Sequence, residues 1–99
     1  MATISKAKIG SVDSVAPGGT FNYQWNNPPH ATVLGYFAYA DPPPGHGEHG
    51  SAQGSVEIVR VIHTLIKKND APNVERVNIY IKNTGTIATG FDLYQSWIT

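Results

Sequence analysis

Residues 20–26 read Thr-Phe-Asn-Tyr-Gln-Trp-Asn, and no other stretch limits the fold so tightly. Phe21, Tyr23 and Trp25 alternate with Thr20, Asn22, Gln24 and Asn26. That period of two lines one face of a strand with aromatic rings and leaves the other polar. Pro17-Gly18-Gly19 ahead of it is a turn signal, and Asn26-Asn27-Pro28-Pro29 behind it is a breaker. A strand with such a face needs a second layer to bury it against.

The rest of the chain repeats the theme. Ile4 to Val15 reads as one or two short strands interrupted at Gly10. Thr32 to Ala40 carries Val33, Leu34, Tyr36, Phe37 and Tyr39, apolar on both faces as a central strand would be. Val77, Ile79 and Ile81 alternate with Arg76, Asn78, Tyr80 and Lys82 before the turn Asn83-Thr84-Gly85. From Thr89 to Ile98, Phe91, Leu93 and Trp97 share one face, while Asp92, Tyr94, Ser96 and Ile98 share the other.

The fold turns on Val56 to Lys68. As a helix, its polar residues Glu57, Arg60, His63, Thr64, Lys67 and Lys68 gather on one arc. As a strand, its two faces are mixed. Composition decides for the strand, because the run is rich in Val, Ile and Thr, whose stiff χ1 suits a pleated surface. Asn69-Asp70-Ala71-Pro72-Asn73 is then a hairpin-length link to the next strand. A bulge partway along would explain the imperfect alternation.

Six to seven strands and no other credible helix predict an all-β fold, an antiparallel β-sandwich. At 99 residues the chain makes one domain, 1–99, with a Pro/Gly/His-rich loop at 41–55. Two short stretches look like parts of immunoglobulin-like modules. Val77 to Gly85 resembles their strand followed by an Asn-Thr-Gly turn, and Val15 to Phe21 resembles their Pro-Gly lead into an early strand. The resemblance implies an immunoglobulin-like sandwich.

Composition removes several functions. Seven basic and seven acidic residues balance, so the footprint of a nucleic-acid binder is missing. No apolar stretch approaches a membrane-spanning length, and no membrane partner is expected. Without cysteine there is no disulfide, thiol catalysis or Cys-based zinc site. Met1 to Lys6 has no apolar core, so no signal peptide is expected, and the composition suits a secreted module or a cytoplasmic protein.

Two regions could carry function. His46, Glu48 and His49, within Gly45-His46-Gly47-Glu48-His49-Gly50, offer two imidazoles and a carboxylate to a divalent metal, with Asp41 and His30 able to converge. Glycines leave those ligands unorganised, and ordering each residue costs about 1–2 kcal/mol. The stretch also spells G-x-G-x-x-G, but prolines precede it and no βαβ unit surrounds it, so it is not a nucleotide loop. The second region is aromatic. Tyr80, Tyr94 and Trp97 are the residues expected to face a protein or carbohydrate ligand, since rings supply contact area at small entropic cost. His63 reads as a half-buried strand residue rather than a base.

The expectation is therefore a non-catalytic β-sandwich binding or self-assembly module without a cofactor, and the alternative is a small metal-binding protein or metal-dependent enzyme using His46, Glu48 and His49. Two runs with apolar residues on both faces, Thr32 to Ala40 and Val56 to Ile66, are hard to cover in a monomer this small. Zero net charge adds no repulsion between copies, so a homo-oligomer is expected.

Overall fold

The computed structural model describes residues 3–26, 33–43 and 54–98. It contains six strands: β1 (Ile4–Val15), β2 (Thr20–Asn26), β3 (Val33–Asp41), β4 (Val56–Ile66), β5 (Val74–Asn83) and β6 (Thr89–Ile98). They form two three-stranded sheets in the orders β1-β6-β3 and β2-β5-β4, with every neighbouring pair antiparallel. There is no helix among the described residues. The fold is all-β, and Val56 to Ile66 is a strand.

Only the β4–β5 connection stays within one sheet; the others cross between sheets. β1 passes to β2 through Pro17-Gly18, where Gly18 has φ 77°, a conformation that side chains resist. The Gly19 amide there donates to the Ala16 carbonyl at 2.9 Å.

The core lies between the two central strands. Val77, Ile79 and Ile81 of β5 and Phe91 and Leu93 of β6 are buried, and each contributes about 1.5–3 kcal/mol relative to exposure. The aromatic face of β2 registers on β5: Phe21 opposes Ile81, Tyr23 opposes Ile79 and Trp25 opposes Val77. Phe21 meets Phe91 of the facing sheet edge-on at 6.0 Å, and the Tyr23 hydroxyl donates to the Ile9 carbonyl at 2.8 Å.

Asn83 fastens the two sheets at one end. Its side-chain amide donates to the carbonyls of Val15 and Ile87, both at 2.8 Å, and its carbonyl accepts from the Gly85 amide at 2.8 Å. Its backbone amide donates to Gly19 at 2.9 Å, and its backbone carbonyl accepts from Gly18 at 3.0 Å.

Three differences from the sequence reading stand out. β3 is not central. It forms one edge of its sheet, and its second apolar face carries surface aromatics. β1 runs continuously through Gly10, with register shifts between Lys8 and Gly10 and between Val12 and Val15. β5 begins earlier than its alternation suggests, at Val74, because Val74 and Glu75 pair with Ile66 and Leu65 across the hairpin.

Candidate functional site

Antiparallel partners point to the same face, so the registers show which side of each sheet the residues discussed below share. On the outer face of the β1-β6-β3 sheet, Lys8 opposes Tyr94 and Tyr94 opposes Phe37, while Ser11 opposes Asp92 and Asp92 opposes Tyr39. Tyr39 and Tyr94 meet edge-on at 5.3 Å. Lys6 Nζ sits over both rings, 5.3 Å from the centre of Tyr39 and 5.1 Å from that of Tyr94. Phe37 and Tyr39 stand about half exposed.

Beside the rings, Asp92 accepts a hydrogen bond from the Ser11 hydroxyl at 2.9 Å and lies 3.3 Å from Lys8 Nζ. The Ser11 bond, helped by Lys8 and opposed by partial burial, holds the Asp92 carboxyl below its ordinary value. A lowered carboxyl stabilises the fold above its unfolded-state pKa, and that contribution is lost as pH falls through the lowered value.

A second feature lies in the other sheet. β4 registers on β5 with a shift between Ile58 and Arg60, which leaves Val59 as the extra residue of a bulge. On the inner face, Val56 opposes Asn83, Ile58 opposes Ile81, Val61 opposes Ile79 and His63 opposes Val77. Before the bulge, Val56 and Ile58 pack against the core. Beyond it, on that same inner face, Val61 is 42% exposed and Leu65 57% exposed. The inner side of β4 therefore leaves the core uncovered along the flank where β3 and β4 are the sheet edges.

Polar groups stand along this flank, His63 and Glu75 exposed at its rim and Gln95 buried behind them. His63 Nδ1 lies 3.9 Å from Glu75 Oε1, and the Gln95 amide is 3.4 Å from the Tyr36 hydroxyl. Burial raises the Tyr36 phenol above its ordinary value; the Gln95 hydrogen bond opposes this, and the Glu75 charge adds to it. Gln95 is fully buried, and its Oε1 has no hydrogen-bond partner among the described residues.

The sequence-predicted ligand residues do not share one surface. Tyr94 lies on the outer face of its sheet, among Lys6, Phe37 and Tyr39. Tyr80 lies on the outer face of the other sheet, opposite Asn22 and Arg60, whose guanidinium is 5.9 Å from its ring centre. Trp97 is on the inner side of β6, partly buried and opposite Ser5. The sequence reading missed Phe37, Tyr39 and Lys6 as surface residues, although the spacing of Phe37 and Tyr39 already put them on one face.

His46, Glu48 and His49 lie outside the described residues. Among the described residues no three His, Cys, Asp or Glu side chains come together as metal ligands, and no helix is long and apolar enough to cross a membrane. Asp41 ends β3, exposed and opposite Gly90. Compared with protein-family models, curated proteins and solved structures, the chain matches none.

Proposed function

We propose that this chain is a non-catalytic β-sandwich module that works by self-association, with a second copy covering the flank between β3 and β4. One observation carries the reading: Val61 and Leu65 sit on the core-facing side of β4, yet both are about half exposed. Exposed apolar residues scattered singly are ordinary, but inner-face residues left uncovered beside exposed Val59 mark a contact surface. The immunoglobulin-like arrangement is part of the proposal. The order β2-β5-β4 corresponds to the B-E-D strands of that fold, and β3 beside β6 corresponds to C beside F, with β1 at the edge where a last strand would pair.

Light scattering tests the association. At high micromolar concentration the wild type is expected to run at a multiple of 10.7 kDa. Val61→Lys combined with Leu65→Lys is expected to run as the monomer with an unchanged β-type circular dichroism spectrum. A wild-type monomer at that concentration overturns the proposal.

The Tyr39, Tyr94 and Lys6 group supports a second, ligand-binding use, and its geometry favours a protein over a carbohydrate. A sugar stacks on an open ring face, whereas here Lys6 lies over both tyrosine rings. Tyrosine and cationic groups together suit a protein contact. Titration with neutral oligosaccharides is expected to give no saturable change in tyrosine and tryptophan fluorescence. Saturable binding that Tyr94→Ala removes would transfer the site to carbohydrate recognition.

A further inference from the structure

We propose that two copies join edge to edge through residues 60–66 of β4, with His63 on the two-fold axis. The proposal rests on the self-association reading and specifies its geometry.

The four edges of the two sheets are not equally open to another chain. β1 carries two register shifts along with Lys6 and Lys8, and β3 runs directly into Pro42-Pro43. β2 alternates its rings with Asn22, Gln24 and Asn26, and Pro28-Pro29 follow it in the sequence. Bulges, lysines and prolines all blunt an edge. From Arg60 to Ile66, by contrast, β4 pairs with β5 in unbroken register, with no Gly, Pro or Lys in the run. Among the described residues nothing pairs with its far side.

Symmetry then limits the register. Two identical strands pair antiparallel about a two-fold normal to the sheet, which keeps both inner faces on one side. Such an axis permits only registers centred on a residue, because directly opposed side chains share a face. Centring on Ile62 sets Leu65 against the bulged Val59. Centring on Thr64 sets Val61 against Lys67. Centring on His63 pairs the whole bulge-free run with itself, and it alone sets Val61 against Leu65 of the second copy, and Leu65 against Val61.

Those are the inner-face apolar residues of β4 beyond the bulge that the single chain leaves uncovered. On the outer face the same register opposes Ile62 to Thr64 and Arg60 to Ile66. The result is a continuous six-stranded sheet, β2-β5-β4 joined to β4-β5-β2, with a shared inner face. Each His63 arrives at the axis with Glu75 of its own chain 3.9 Å away.

The chain has no cysteine, so single cysteines read the register directly. Opposed residues have Cα atoms about 4.5–5.5 Å apart, within the range a disulfide spans. Under mild oxidation, His63→Cys is expected to convert most of the protein to a disulfide-linked dimer. Val61→Cys alone is expected to stay unlinked, because its symmetry mate lies four residues along the strand, about 13 Å away. Combining Val61→Cys with Leu65→Cys restores the link and reports the same register without touching His63.

Equal cross-linking of Val61→Cys and His63→Cys, or none in either linking variant, overturns the proposed geometry. If the wild type still scatters as an oligomer in that case, self-association survives and only the β4 axis fails. A monomeric wild type removes both.

Discussion

Asn83→Ala is expected to lower the melting temperature by about 12–24 °C. Asn83 is 1% exposed, and three hydrogen bonds of 2.8 Å end on its side chain. Alanine leaves the carbonyls of Val15 and Ile87 without that donor and the Gly85 amide without that acceptor. An unsatisfied buried group costs about 1–3 kcal/mol, and a total of about 3 kcal/mol is reasonable because only the Val15 bond is fully buried. In a domain of this size each kcal/mol moves the midpoint by about 4–8 °C.

Asn83→Asp is expected to be no milder. It keeps the acceptor for Gly85 but loses both donated bonds and buries a carboxylate. Asn78→Ala, on the outer face of the same strand, serves as the control and should stay within about 0.5 kcal/mol of wild type. The scans need a fixed protein concentration, because association raises apparent stability by mass action. A loss under about 4 °C would show that Asn83 is not the fastening described.

The Asn83 network shows what a one-dimensional reading misses. Asn83-Thr84-Gly85 reads as a turn in the sequence, and the Asn83–Gly85 contact is indeed local. The bond to Val15 spans 68 positions and depends on how β1 returns beside β6. The strands themselves were legible because each alternation is a local matter of which side chains share a face. β2 matches its sequence limits, and the broken alternation in β4 signals a bulge that the β4–β5 register puts at Val59.

What alternation does not tell is which sheet a strand joins, or whether a second apolar face meets core or water. For that reason β3 reads as central while Phe37 and Tyr39 lie on the surface. It is also why Tyr80 and Tyr94, alike in sequence context, fall on different sheets. The exposure of Val61 and Leu65 was legible only as an excess of apolar faces. Its position depends on the register after the bulge, which no local pattern encodes.

Gly90→Ala is expected to be the costliest of the glycine substitutions within strands. A methyl group at Gly90 would stand 2.4 Å from the Val12 carbonyl oxygen and 2.7 Å from that of Asp13. Both atoms are backbone, at the register shift where β1 swings past β6 between Val12 and Val15. No rotamer change relieves such a contact, so β1 or β6 must move. Gly10→Ala meets a softer obstacle. Its methyl group would lie 2.6 Å from Tyr23 Cε2, and the ring can swing aside, although it then gives up its hydrogen bond to Ile9. Gly35→Ala meets only Phe37 at 3.7 Å, an ordinary contact. Overpacking typically costs about 1–3 kcal/mol, which sets the range for Gly10→Ala and the lower bound region for Gly90→Ala, while Gly35→Ala should stay within about 0.5 kcal/mol. Urea unfolding at equal m-values should rank the midpoints Gly35→Ala, then Gly10→Ala, then Gly90→Ala, from highest to lowest. A Gly90→Ala midpoint level with that of Gly35→Ala would mean that β1 and β6 do not approach as closely at the bulge as described, and the β1-β6 register there would need to be redrawn.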